Sequence, residues 1–231
     1  VFSKNEVAKY TDQFDNFPNR NGVLWARNVC WDLARGQGYK FFVELDDDCY
    51  SFQYKMMGRG HVNSISSEKE FHSWKMPNLD GIFNALVALV ETTPINTIAL
   101  AQGGDHIGGE RKKIRFKRKA MNSFILDTEK PFLFQGKMND DVNTYVNLGG
   151  TGKLFFTDME IQLSADDTQS SEGGMTETYL AYGTYVKSFY TIMVAPSCTS
   201  INTIGWKSKR LHHEINWNKA VPKILSERIK Q

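Results

Sequence analysis

The sequence predicts one α/β domain, a mixed sheet flanked by helices, and three observations carry that prediction. Stretches with apolar residues at helical spacing alternate with short β-branched or aromatic runs, each set off by glycine or proline. The chain has 231 residues, enough for one domain with a substantial core. No internal repeat or linker divides it, so residues 1–231 read as a single unit.

Trp25, Ala26, Val29, Cys30 and Leu33 recur at helical spacing and run into Gly36-Gln37-Gly38, an amphipathic helix with a glycine stop. Tyr39 to Leu45 is short, aromatic and β-branched and follows that glycine break, which predicts a buried strand. A polar loop, "GRGHVNSISSEKEFHSW", is expected next, and then Asp80 as the N-cap of the apolar helix "GIFNALVALVE". Pro94 closes that helix, and "NTIALA" reads as a strand running into "QGGDHIGGE". Two glycine pairs so close together imply a sharp turn or a close approach to the backbone. "NSFIL" and "KPFLF" read as strands, "MNDDVNTYVNLGG" as a short helix ending at Gly149, and "LFFTDMEIQL" as an alternating strand. "DDTQSSEGG" reads as a loop, and Tyr182, Tyr185, Val186 and Phe189 mark one more helix before the tail "RLHHEINW".

Composition excludes several function classes. A net charge of +2 means that any nucleic-acid affinity must come from local clustering. Cys30, Cys49 and Cys198 lie far apart with no C-x-x-C, which argues against a disulfide framework or structural zinc and suits a reducing cytoplasm. No apolar run approaches the roughly 18 residues of a membrane span. The opening "VFSKNEVAKY" lacks both a signal-peptide pattern and Met, so the chain is expected to begin partway into a longer protein.

The chemistry concentrates in "KFFVELDDDCY". An apolar run leads straight into Asp46, Asp47 and Asp48, and three adjacent carboxylates repel one another unless a cation sits among them. In open α/β sheets ligands gather at the carboxyl ends of strands, where these three stand. Asp46 and Asp48 point the same way off an extended backbone and suit one hard cation, Mn²⁺ or Mg²⁺; a solvated turn with caps is the alternative. An aspartyl-phosphate nucleophile is excluded, because D-x-D-x-T/V is not supplied. Asp140 and Asp141 read as a helix N-terminal pair or as a general base beside a reacting hydroxyl. His212 and His213 read as surface residues, or as ligands if the tail folds back on the aspartates. "RKKIRFKRK" places seven cations in nine residues, a solvated face or a phosphate-binding face split by Ile114 and Phe116. "QGGDHIGG" is no P-loop, since no G-K-[ST] follows.

Taken in order, "NRNGVLWARNVCWDLARGQGYKFFVELDDD", "IALAQGGDHIGG", "KAMNSFIL", "PFLFQGKMNDDVNTYVNLGGTGKLFFT" and "DTQSSEGGMTETYLAYGTYVKSFYTIMVAPS" resemble the TET-associated glycosyltransferases. The likeness runs from about Asn19 to Leu225 and implies a GT-A-like, Rossmann-like fold, here expected without its usual N-terminal strand–helix unit. It also implies a metal-dependent enzyme of bacteriophages that modifies hydroxymethylated pyrimidines in DNA, in the cytoplasm of an infected bacterium. The implied reaction moves a hexose, glucose from UDP-glucose above all, onto 5-hydroxymethylcytosine or onto a glucose already attached to it.

Carried over by residue, the resemblance places Asp46, Asp47 and Asp48 around the divalent ion and the donor, with Asp48 the more direct ligand. His212 or His213 completes the metal shell, and Asp140 or Asp141 deprotonates the acceptor. Gly103, Gly104 and Asp105 line donor and acceptor, and Gly173 and Gly174 close over them. Lys112, Lys113, Lys117, Arg118 and Lys119 are the candidates for phosphate contacts on double-stranded DNA, and Trp74, Trp206 or Trp217 for stacking on a base or sugar. Two rival readings stand beside this one: a two-metal nuclease or phosphotransferase using Asp46, Asp48, Asp140 and Asp141, and a non-catalytic DNA-binding module.

Overall fold

In the computed structural model, which describes residues 1–57, 71–106, 116–166, 175–205 and 209–221, helix α1 (Lys4–Val7) and an extended loop lead to α2 (Leu24–Gly36). Glycine ends α2 as predicted: Gly38 takes φ +76°, and the Tyr39 amide turns back to bond the Ala34 carbonyl at 2.9 Å. The chain then enters β1 (Phe41–Leu45), β2 (Cys49–Met57) and β3 (Phe71–Lys75), helix α3 (Asp80–Thr92) and β4 (Ile95–Ala101). After a 3-10 turn at Gly103–His106 come β5 (Ser123–Asp127), α4 (Asp140–Gly150) and the long β6 (Leu154–Ala165). Helices α5 (Thr176–Tyr182) and α6 (Val186–Val194), the hairpin β7 (Thr199–Ile204) and β8 (Arg210–Ile215), and α7 (Trp217–Ala220) complete the described chain.

The main sheet has the order β1-β5-β4-β6-β2-β3, and only β4 and β6 pair in parallel. Alternation along the strands feeds two cores. Phe124 and Leu126 of β5 face α2 and α4, joining Leu24, Trp25, Trp31, Phe134 and Val146. Ile125 faces the other way with Ile98 and Leu100 of β4, against Leu86 and Val90 of α3. Helices therefore cover both faces of a mixed sheet, the α/β architecture that the sequence predicts and one consistent with a GT-A-like fold.

The sheet is strongly curled. β1 and β2 stand four places apart in the strand order, about 19 Å in a flat sheet. Yet only Asp46, Asp47 and Asp48 connect them, folded into a turn in which the Cys49 amide donates to the Asp46 carbonyl at 3.3 Å. Such a link spans well under about 14 Å, so the sheet bends into a half-barrel. The aspartates bridge its mouth: the Asp46 amide donates to the Asn122 carbonyl before β5, and the Asp166 amide after β6 donates to the Asp48 carbonyl, each at 3.2 Å.

Five readings of local structure are corrected. β1 is an edge strand; Val43 and Leu45 are exposed, and the residue it buries is Glu44. The last residues of the expected polar loop form β3, which pairs with an unforeseen β2 whose Tyr50, Phe52 and Tyr54 alternate with Ser51, Gln53 and Lys55. "KPFLF" is not a strand, because the carboxamide of Asn28 takes the place of a neighbouring strand: it accepts from the Phe134 amide at 2.8 Å and donates to the Phe134 carbonyl at 3.0 Å. Asp80 is the first helical residue of α3, its amide held by the Asn78 side chain at 2.9 Å. The single helix expected around Tyr182–Phe189 is two, broken at Gly183 with φ +82°.

Candidate functional site

β1 and β4 both run antiparallel to β5, so their carboxyl ends open on the same side of the sheet. Asp46–Asp48 leave the first, Gly103–Asp105 leave the second, and the N-terminus of α4 delivers Asp140 and Asp141 beside them. Asn139, in the left-handed region at φ 58°, turns the chain into that helix, and both aspartates are buried in its first turn. A helix N-terminus favours negative charge there.

The residue that organises the acids is one that sequence reasoning missed, Arg27 of α2. Its guanidinium is buried, donates from Nη1 to Asp140 Oδ2 at 2.6 Å and from Nη2 to Asp46 Oδ1 at 2.7 Å, and lies about 5 Å from the ring centroids of Phe124 and Phe134. One guanidinium does not balance the cluster. Burial pushes Asp140 up to about 6, against the pull of Arg27 and with the push of Asp141 and Asp46. Burial likewise raises Asp46 despite Arg27, and burial with Asp46 raises Asp48. Glu44, buried behind them with neither carboxylate oxygen hydrogen-bonded, is pushed to about 8 by desolvation. Asp141 Oδ1 accepts from the Val142 amide at 2.7 Å.

An excess of hard oxygen donors over cations is the chemistry that Mg²⁺ or Mn²⁺ fits. Among the described residues no group of three or more His, Cys, Asp or Glu converges to hold a metal ion. The tail does fold back toward the acids. His213 Nδ1 lies 3.2 Å from Asn139 Nδ2, which donates to it, and the His213 amide donates to Ser188 Oγ of α6 at 3.1 Å. The His212 and His213 rings lie with centroids 4.2 Å apart, tilted by 31°. Burial, then His212, Lys187 and Lys119, push His213 down to about 3, and burial, then Lys187, Arg210 and Lys119, lower His212. Both are neutral imidazoles at neutral pH, the state a metal ligand needs.

The basic run divides. Lys112 and Lys113 lie outside the described residues, as do Gly173, Gly174 and Trp206. Lys117 is exposed and bonds Asn218 Oδ1 at 2.8 Å. Arg118, expected on an outward face, is buried: Nη2 donates to Asp105 Oδ1 at 3.0 Å and to the Asp105 carbonyl at 3.1 Å. Lys119, half-buried, stands 3.7 Å from the same carboxylate, whose Oδ2 accepts from the Gln102 amide at 2.9 Å. Asp105 is thus held inside by two cations, fixing the turn after β4. Beside Gly104 there is open space, and a Cβ added at Gly103 would meet only Gln162 Nε2, at 3.9 Å. Trp217 stacks on Tyr145 of α4 at 5.4 Å, a packing role; Trp74 is half exposed on β3. Among the described residues no helix is long and apolar enough to cross a membrane.

The profile of a family described as TET-Associated Glycosyltransferase matches residues 1–174. No curated protein and no solved structure matches the chain.

Proposed function

Because the chain belongs to the TET-associated glycosyltransferase family, we propose that it transfers a hexose, glucose from UDP-glucose in the first instance, onto 5-hydroxymethylcytosine or glucosyl-5-hydroxymethylcytosine in double-stranded phage DNA, within the infected bacterial cytoplasm. The observation that carries this reading is the buried tie of Arg27 to both Asp46 and Asp140, which brings the acidic turn after β1 to the acidic N-terminus of α4.

Asp46 and Asp48 would hold a divalent cation, which when bound supplies Lewis-acid neutralisation of a leaving diphosphate. Arg27 ties the N-terminus of α4 to the end of β1. It also pairs Asp140 with a full positive charge, whereas Asp141 makes no ion pair among the described residues and accepts from the Val142 amide, so the proton-accepting role is given to Asp141. In the step, the acceptor oxygen forms a bond to the anomeric carbon while the bond from that carbon to the diphosphate oxygen breaks. The acceptor proton passes to the Asp141 carboxylate, and the nucleoside diphosphate leaves with the electron pair. The hydroxymethyl group of the acceptor cytosine stands in the major groove, so it reaches such a mouth on an extruded base or under a protruding loop.

The test incubates the protein with Mn²⁺, a panel of UDP-hexoses, and DNA carrying plain, hydroxymethylated or glucosylated cytosine, followed by nucleoside mass spectrometry. A hexose mass gain on one modified cytosine, lost in Asp141→Asn, is expected. No gain with any pairing rejects the proposal.

A further inference from the structure

Asn139 joins three elements. It takes the left-handed conformation at the start of α4, where its carbonyl accepts from the Asn143 amide at 2.8 Å. Asparagine adopts that conformation more readily than most residues with a side chain. Its carboxamide nitrogen lies 3.0 Å from Thr191 Oγ1 and 3.5 Å from the Lys187 carbonyl, both on α6, and 3.2 Å from His213 Nδ1 on β8. A backbone carbonyl only accepts, so the NH₂ end of the carboxamide, and not its oxygen, faces this cluster. The consequence falls on His213. A ring nitrogen that receives an N–H presents a lone pair, so Nδ1 carries no proton and the imidazole holds its proton on Nε2. Ser188 Oγ fits the same state: it accepts from the His213 amide at 3.1 Å, and its own hydrogen can turn to Nδ1, 3.5 Å away. A metal bound at Nε2 needs the reverse, a lone pair there and an Nδ1–H given to an acceptor. Asn139 offers Nδ1 a donor, and His213 does not fit the metal shell expected for it.

We propose that His213 is a hydrogen-bond donor through Nε2–H rather than a metal ligand, and that Asn139 is the positioning residue that fixes this tautomer. Nε2 makes no hydrogen bond among the described residues. Its proton is therefore unspent within them and goes to an oxygen of a bound substrate. That use of the proton rests on the transferase reading; the tautomer does not. Asn139 immediately precedes Asp140 and Asp141, so one carboxamide sets the ring relative to the helix start that carries both acids.

The test follows histidine-labelled protein by long-range proton–nitrogen NMR at neutral pH, with His213→Gln to assign the resonances. In the wild type, Nδ1 should resonate as the bare nitrogen and Nε2 as the protonated one, before and after excess Mg²⁺ is added. Asn139→Asp keeps the side-chain shape and tolerates the left-handed backbone, but it turns an oxygen to Nδ1 and should draw the proton there. Asn139→Gly keeps the backbone conformation and presents neither group, so both tautomers should be populated. Mn²⁺ affinity, read by electron paramagnetic resonance, should be the same in His213→Gln as in the wild type. Loss of a true ligand would weaken it by at least the roughly 10–100-fold that removal of an outer-shell partner costs. A bare Nε2 in the wild type, an Nε2 proton lost when Mg²⁺ is added, or a ring signature unchanged in both Asn139 variants overturns the proposal. Nε2–H found in a protein that transfers no sugar would leave the assignment standing while the transferase reading fell. A working transferase whose metal sits on His213 would do the opposite.

Discussion

Replacing Arg27 by Met tests the electrostatic design of the site most directly. The methionine stem preserves much of the packing against Phe124 and Phe134 and removes only the guanidinium. Asp140 and Asp46 then lose their 2.6 and 2.7 Å partners while Asp140 remains buried. Breaking a buried pair from one side costs about 3–5 kcal/mol, and for a chain of this size each kcal/mol moves the melting temperature by about 2–4 °C. A fall of roughly 6–20 °C at pH 8 follows. The pH dependence carries the sharper test. A carboxyl whose folded pKa is raised penalises folding in its charged form. The penalty builds from the ordinary value near 4 up to the folded value, about 6 for Asp140, and is absent below that window. Deleting Arg27 removes the principal influence that lowers Asp140 and Asp46, so the window stretches upward. The deficit of Arg27→Met should therefore be large at pH 8 and shrink toward pH 5, read by scanning calorimetry. A melting temperature matching wild type at pH 8, or the same deficit at both pH values, would refute the reasoning.

Other contacts give equally direct expectations. Arg118→Ala strips the buried Asp105 of its closest cation and should cost about 3 kcal/mol, whereas Lys117→Ala, on an exposed residue, should stay within about 0.5 kcal/mol; equal urea midpoints for the two would contradict these placements. Gly149→Ala would set a Cβ 2.3 Å from the Ala220 carbonyl oxygen, so α7 must move and the Trp217–Tyr145 stack loosen, at a cost of about 1–3 kcal/mol. Wild-type stability and tryptophan emission in that variant would show that the contact is absent. Burial alone would raise Asp15, but hydrogen bonds from Lys137 at 2.8 Å and Tyr190 at 2.5 Å outweigh it and lower the pKa. Its stabilisation is therefore present above the unfolded value of about 4 and lost as pH falls through the folded value. Asp15→Asn should flatten the acid limb of the stability profile, and an unaltered limb would discount the network.

Most of the fold was legible where one physical signal dominated. α2, α3, α4, β4, β5 and β6 each carry a clean period or a glycine or proline boundary, and each forms where its pattern puts it. The failures have a common cause, tertiary partners that substitute for local ones. "KPFLF" has strand composition, but the Asn28 side chain, 106 residues away, satisfies its backbone. β1 looks buried by composition, yet alternation aims Glu44 inward and leaves Val43 and Leu45 outside. The period-2 signal of β2 was present in Tyr50, Phe52 and Tyr54, and the adjoining charge cluster masked it. The same logic divides the site. Acidic residues at a strand end and a helix start announce themselves, whereas Arg27 sits in the first turn of an amphipathic helix, 19 residues before Asp46 and 113 before Asp140. Nothing local distinguishes it from a solvated arginine.

That hidden guanidinium also bounds what a metal ion has to do. Arg27 offsets one of the four carboxylates Asp46, Asp48, Asp140 and Asp141, and Asp46, Asp48 and Asp140 still have raised pKa values. A divalent ion bound at Asp46 and Asp48 would be spent largely on the charge already in the pocket, leaving little to attract an incoming diphosphate. Retaining a polyanionic donor beside such acids therefore calls for positive charge from outside the carboxylate set.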